Sequence, residues 1–464
     1  MNQHNLRATH LDLDSFPPEF LWGAATAAYQ IEGGADEGGR GPSIWDVFSH
    51  RPGAILNGDT GDVACDHYHR WETDLDIAES IGLQAYRFSV SWARLQPSGE
   101  GSLNARGVEF YRGLLEGLAR RGIRPFVTLY HWDLPQPLEA SGGWPVRHTA
   151  ERFADFARRT VDALGDLATD WITLNEPWCS SFNGYHAGVH APGRRDLDAA
   201  VAAAHHLNLA HGLAVRAIRD GSYPHTRIGL TNVITDVVAA SERPEDTAAA
   251  RRVDSNNNLM FLAPAYLGRY PDSVHELYDR CGLEALVGPD DVAAISSPTD
   301  FVGINHYHQL VVEADPVDPH LGARITPAPP PLTAMGWSVK PESLRNVLRR
   351  VSTEFTGLPV YVTESGAAFD DRVNSTGEVL DNDRIDYLRG YFAAAAQAIA
   401  DGVDLRGYFV WSLLDNFEWG EGYSKRFGLV YVDYATQERI PKASAAWYAA
   451  QIQLHRTGGT LQLP

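Results

Sequence analysis

The chain's 464 residues, 44% hydrophobic and 21% charged, have the balance of a globular protein with a large core. That length suits two or three small domains or one long α/β barrel. A formal net charge of −20 argues against nucleic-acid or anionic-membrane partners, and three cysteines (Cys65, Cys179, Cys281) without Cys-x-x-Cys spacing make neither a disulfide framework nor a zinc site.

Residues 1–15 hold no apolar core of signal-peptide length, and no uninterrupted apolar run reaches membrane-spanning length. They are expected to be a flexible leader to one domain over 16–464 of a cytoplasmic protein. Eight apolar, strand-like runs then alternate with amphipathic segments. The first, 20–25 ("FLWGAA"), is followed by Gln30; the second, 85–90 ("AYRFSV"), carries Arg87. In "FYRGLLEGLARRGI", Leu114, Leu115 and Leu118 share one helical face before Gly122. The third run, 124–129, leads into Tyr130, His131 and Trp132. Phe153, Phe156, Val161 and Leu164 then recur at near-helical spacing. The fourth run, 171–175, ends in Asn175 and Glu176, and the fifth spans 228–232. The sixth, 301–305, ends in Asn305 with Tyr307 two residues on. A proline-rich loop, 324–337, precedes the seventh run, 360–363, which ends in Glu364. The eighth, 407–412, carries Trp411, and Glu418 and Trp419 follow it.

Strands alternating with helices predict a parallel sheet, and eight such units predict a closed (β/α)₈ TIM barrel. A doubly wound open sheet is the alternative, but no glycine-rich phosphate turn follows the first strand. A minimal barrel takes ~250 residues, which leaves roughly 200 for long βα loops and extra elements. Active sites of such barrels lie at the C-terminal strand ends, where this sequence gathers amides, aromatic faces and two carboxylates. Sugars call for that mixture: hydroxyls need directional partners, and the C–H face of the ring packs on indole. A pair of carboxylic groups suits glycoside hydrolysis, in which one protonates the leaving oxygen and the other stays ionised. Glu176 fits the acid and Glu364 the ionised partner, with Arg87 or Tyr307 stabilising its charge.

At these positions the chain resembles the retaining β-glucosidases of glycoside hydrolase family 1. The resemblance runs from "FPPEFLWGAATAAYQIEGG" to "RIPKASAAWY" and includes "YRFSVSWARL", "YHWDLP", "TLNEPW", "VTESG" and "DNFEWGEGYSKRFGLVYVDY". It implies Glu176 as acid/base and Glu364 as nucleophile, with Arg87 and Tyr307 as the nucleophile's partners. It implies a sugar pocket of Gln30, His131, Trp132, Asn175, Asn305, Tyr307, Trp411, Glu418 and Trp419, and an aglycone side lined by Trp178 and Trp337. No metal or organic cofactor belongs to that chemistry. The implied substrate is a β-glucoside or cello-oligosaccharide, with β-galactosides and β-fucosides as alternatives; oligomeric state is left open. Three positions depart from the family's usual pattern: Ser365 stands where Asn is usual, Ala334 precedes "MGW" in place of an acidic residue, and the fifth run differs.

Three other functions compete for the same residues. His67 and His69, or His205, His206 and His211, could suggest a metal site, but neither set ends a strand and structural roles are expected. A non-catalytic sugar-binding barrel typically lacks one carboxylate, and both are present. A 6-phospho-β-glucosidase would want positive charge where Glu418 and Glu421 lie.

Overall fold

The computed structural model describes residues 13–458. Each expected run forms a strand, with boundaries shifted by at most two residues. We number the barrel strands β1 (Leu21–Ala25), β2 (Ala85–Ser89), β3 (Arg124–Tyr130), β4 (Asp170–Asn175), β5 (Arg227–Val233), β6 (Phe301–Asn305), β7 (Val360–Ser365) and β8 (Leu405–Trp411). All neighbours pair in parallel, and β1 closes the barrel by pairing with both β8 (Ala25 opposite Trp411) and β2 (Ala25 opposite Arg87). The expected amphipathic segments are helices at Ala105–Arg120 and Arg147–Leu164, and the chain leaves the first through Gly122 at φ 65°.

Two corrections concern irregular segments. Of the expected flexible leader, residues 1–12 lie outside the described residues, but Leu13–Ser15 form a short 3₁₀ turn. The turn forms because Phe16 is buried against Phe20 and Trp22, at ring separations of 4.7 and 4.8 Å. The loop expected over 324–337 begins inside a strand. Ala323–Ile325 joins Asp236–Ala239 and Gln309–Ala314 in a three-stranded side sheet beyond the C-terminal ends of β5 and β6. Among the described residues no helix is long and apolar enough to cross a membrane.

Aromatic rings fill the barrel interior. Phe126 meets Phe409 at 4.9 Å and Phe301 meets Tyr361 at 5.4 Å. Gly229 makes room for this layer, because a Cβ there would lie 2.3 Å from the Phe301 ring. Below it, Asp170 is buried between Arg124 (2.7 Å) and Arg227 (2.8 Å), which closes the N-terminal end.

Behind β8, a buried ionic cluster fastens the chain that follows the strand. Lys442 Nζ reaches Asp371 at 2.5 Å and Asp415 at 2.7 Å; Arg384 pairs with Asp371 and Asp381, and Arg426 with Asp415. Asp415 opens the segment that carries Glu418, so this cluster connects folding energy to the strand-end loops.

Strand alternation fails in an informative place. The β7–β6 register slips by one residue between Val362 and Glu364. Tyr361 packs in the barrel interior and Thr363 bonds Asn305 there, yet Glu364 also reaches the mouth. Such a bulge re-aims a side chain. Ser365 consequently points outward, fully buried, with Oγ 3.3 Å from the Tyr387 hydroxyl. Gly366 follows because a Cβ there would lie 1.8 Å from the Trp411 carbonyl oxygen.

Lys442→Met leaves Asp371 and Asp415 buried with less positive charge and should cost about 3–5 kcal/mol, read as a lower denaturant midpoint. Ser365→Asn overfills a closed space and should destabilise by about 1–3 kcal/mol with no rise in turnover, read by thermal unfolding and steady-state rates.

Candidate active site

The C-terminal strand ends surround a cavity of 730 Å³, within the ~300–1,000 Å³ range of small-molecule sites. His131, Trp132, Glu176, Tyr307, Glu364, Trp411, Glu418 and Trp419 line it, with Trp178 and Trp337 also in the wall. The other expected residues stand behind this lining. Arg87, fully buried on β2, donates from Nη1 to Glu364 Oε1 and from Nη2 to Asn175 Oδ1 at 2.7 Å. Asn305 donates from Nδ2 to Glu176 Oε1 at 2.6 Å and to Asn175 Oδ1 at 3.0 Å. Gln30 lies further back, its amide nitrogen held by Asn416 Oδ1 and the Phe417 carbonyl, both at 2.9 Å. Gln30, Asn175 and Asn305 stand behind the lining: the amides of Asn175 and Asn305 are engaged with neighbours, while Gln30 keeps its Oε1 without a protein partner.

The two glutamates sit in different surroundings. Glu364 accepts from Arg87 on one oxygen and from the Tyr307 hydroxyl on the other, at 2.6 Å. Glu176 has no cation on its carboxyl; Asn305 donates to Oε1, and the Cys179 thiol donates to Oε2 at 3.1 Å. Burial, then the charge of Glu364, pushes Glu176 up to about 7. Burial followed by Glu364 and Glu176 pushes Glu418 up to about 8. Burial and Arg87 push His131 well below its ordinary range, so it is neutral at pH 7.

Backbone geometry presents these groups. The β4–β5 register slips by one residue before Asn175, just as β7 slips before Glu364. Glu176 then adopts φ 46°, and its N–H is held by the Thr231 carbonyl at 2.9 Å. Trp132 (φ 77°) and Trp419 (φ 50°) are also left-handed, so three of the seven non-glycine residues in that region among the described residues line this cavity. Such conformations cost of order 1–3 kcal/mol each and concentrate at functional sites. The aromatic wall is continuous: Trp132 meets Trp419 at 4.5 Å, and His131 stacks between Trp411 (5.9 Å) and Trp419 (6.0 Å).

Several polar atoms here are buried without a protein partner: Gln30 Oε1, His131 Nδ1, Glu418 Oε2 and Trp178 Nε1. Each unmet group of this kind costs roughly 1–3 kcal/mol. Their concentration around one aromatic-walled cavity suits a ligand rich in hydroxyls.

Sequence reasoning missed Cys179, the Thr231–Thr363–Asn305 hydroxyl chain, Asn416, and the outer wall built by Phe182 and the side sheet. Cys179 had a local signal, since it lies three residues after Glu176 and a helical turn places i and i+3 side by side. The others depend on register and on loop packing. The candidate metal histidines have other partners: His67 pairs with Asp74 (2.7 Å), His205 with Asp291 (3.0 Å) and His211 with Thr173 (2.7 Å). His69, on the surface, pairs with Asp66 and Glu37. Among the described residues no three metal-ligating side chains converge.

The family model of Glycosyl hydrolase family 1 matches residues 12–457. Beta-glucosidase A of Thermotoga maritima is 48% identical over 95% of this chain and 98% of its own length. A bifunctional beta-D-glucosidase/beta-D-fucosidase of Bifidobacterium breve is 45% identical, with 95% and 98% covered. The solved structure of the T. maritima β-glucosidase in complex with deoxynojirimycin superposes with TM-score 0.92 at 48% identity, covering 95% of this chain and 99% of that one. A psychrophilic β-glucosidase of Micrococcus antarcticus gives TM-score 0.93 at 44% identity over 97% of this chain and all of that one. A family match across almost the whole sequence, on a barrel whose strand ends carry paired carboxylic groups, places this chain in glycosyl hydrolase family 1.

Proposed function

We propose that the protein is a retaining β-glucosidase that releases terminal non-reducing β-D-glucosyl residues from cello-oligosaccharides or from aryl and alkyl glucosides. The observation that carries this reading is the unequal support of two buried carboxylic groups in one cavity. Glu364, held by Arg87 and Tyr307, is the nucleophile; Glu176, without a cation and raised to about 7, is the acid/base.

In the first step Glu364 attacks the anomeric carbon while Glu176 gives its proton to the departing oxygen. Two of Glu364's interactions hold it as an anion aimed from the cavity floor. The resulting ester carries no charge, so the repulsion that raised Glu176 disappears. Glu176, now a carboxylate, removes a proton from water as the water attacks the same carbon. Two inversions return the β configuration. His131 and Glu418, each with an unpartnered atom, offer hydrogen bonds to sugar hydroxyls, and Trp411 and Trp419 pack its C–H face. The three cysteines are free thiols, which fits a reducing cytoplasm.

A 6-phosphate is not repelled by charge at Glu418 and Glu421. Glu418 is raised to about 8 and so is neutral in the free pocket at pH 7, and Glu421 lies 3.7 Å from Lys425. What disfavours the phosphate is the lack of an unpaired cation in the lining: among the described residues Arg324 is the sole arginine or lysine there, and it pairs with Glu313 at 2.8 Å. The name of the Bifidobacterium relative makes β-fucosides a second glycone to assay.

Glu364→Ala should abolish turnover of every β-glucoside. Glu176→Gln should lose about 10²–10⁴-fold in the glycosylation step of an alkyl glucoside but far less in the pre-steady-state burst from a dinitrophenyl glucoside. Equal losses on both would overturn the assignment. Proton NMR of the first product should show β-glucose; α-glucose would exclude retention. The protonated form of Glu176 is required and is lost as pH rises, so kcat/KM should fall on the alkaline side with a midpoint near 7. Because Glu364's charge raises it, Glu364→Gln should move the carboxyl ¹³C titration of Glu176 downward.

A further inference from the structure

We infer that Cys179 is a positioning residue for the transferable proton of Glu176: with Asn305 committed to Oε1, the thiol at Oε2 marks that oxygen as the one that carries the proton.

The orientation of Asn305 decides which oxygen of Glu176 is free to carry the proton. Its Oδ1 accepts from the Thr363 hydroxyl at 2.8 Å, so its Nδ2 is the atom turned to Glu176 Oε1, at 2.6 Å. An amide N–H only donates. Oε1 thus always faces a hydrogen and has no use for one of its own. The proton of the neutral acid belongs on Oε2, where the neighbour is Sγ of Cys179 at 3.1 Å. A thiol is both a weak donor and a weak acceptor. It can donate to Oε2 while Glu176 is ionised and give way when Oε2 is protonated. Its weakness also matters, because a strong donor there would stabilise the carboxylate and draw the proton off.

The thiol is suited to stay a thiol. Cys179 is buried in the cavity wall, and burial together with Glu176 pushes it well above its ordinary range. Its backbone is fixed separately, since its N–H donates to the Glu176 carbonyl at 2.9 Å, so side-chain changes leave the turn in place. Besides burial and Cys179, the groups acting on Glu176 are Glu364 on β7, Asn305 on β6 and Arg87 on β2, while Tyr307 beyond β6 and Glu418 beyond β8 are neighbours that Glu176 itself raises. None of them hydrogen-bonds Oε2, whose partner is the Cys179 thiol.

This inference rests on the acid/base role proposed for Glu176, and its test keeps the two apart. The carboxyl ¹³C titration of Glu176 is followed in the free full-length enzyme and in Cys179→Ser, Cys179→Ala and Cys179→Val. A hydroxyl donates more strongly than a thiol, and Ala and Val do not donate. The midpoint should order Ser below Cys below Ala, with Val tracking Ala, and span about one pH unit from Ser to Ala. The alkaline limb of kcat/KM should move in the same order. Ala and Val should also lose rate on an alkyl glucoside while keeping the dinitrophenol burst, which a merely structural defect would not do. Coincident titrations in all four proteins, or equal losses on both substrates, would overturn the inference. Failure of the acid/base reading itself is seen elsewhere, in Glu176→Gln losing both substrates equally.

Discussion

Three carboxylic groups share one buried cavity with one buried guanidinium. Three like charges out of water repel strongly, and a single cation cannot compensate them all. Arg87 touches only Glu364 among the three, so the negative charge settles there. Glu176 and Glu418 are left to burial and repulsion, and both rise toward or above neutrality. The difference between an ionised and a protonated glutamate therefore comes from where one arginine sits, rather than from any property of the glutamates themselves.

That placement depends on the barrel being closed. Arg87 on β2 reaches Glu364 on β7 and Asn175 on β4 across the barrel, and Asn305 on β6 ties Asn175 to Glu176. The Arg87–Glu364 pair joins β2 to β7, which are not neighbours in the sheet order, so it needs the closed barrel. The register slips on β4 and β7 then raise one extra side chain on each strand into the mouth. The ionic cluster around Lys442 does the corresponding work for the segment after β8, which otherwise is held by a single bridge, Leu414 to Val430, and scattered backbone bonds.

Much of this was legible in the sequence, for physical reasons that differ by residue. The eight runs were visible because strands buried on both faces are nearly continuous in apolar residues. Glu176 and Glu364 stood out because a carboxylate directly after such a run needs a reason to be there. Ser365 stands out in the sequence only as a departure from the family's pattern: simple alternation cannot reveal a bulge, and it is the bulge that turns Ser365 toward Tyr387. Gln30 and Asn305 are recognisable as parts of the site, but that the Gln30 amide nitrogen and the Asn305 amide bond neighbouring residues depends on packing that no short stretch encodes. The side sheet was hidden by the prolines of 324–337, which signal a loop and say nothing of the strand just before them.

The same charge accounting explains how one glutamate can serve in opposite roles. Glu176 is an acid only while Glu364 is an anion. Once Glu364 is esterified, Arg87 has lost its partner's charge and becomes an uncompensated cation close to Glu176. Both changes act in the same direction: repulsion disappears and attraction remains, so Glu176, having given up its proton, is held as the carboxylate that serves as base. Glu418 experiences that change as well, since Glu364 and Glu176 are the charges that raise it. A neutral Glu418 can donate a hydrogen bond and an ionised one can only accept, so its contacts to the sugar hydroxyls need not be the same in the two halves of the cycle. Binding and chemistry are in this way driven by one variable, the charge on Glu364.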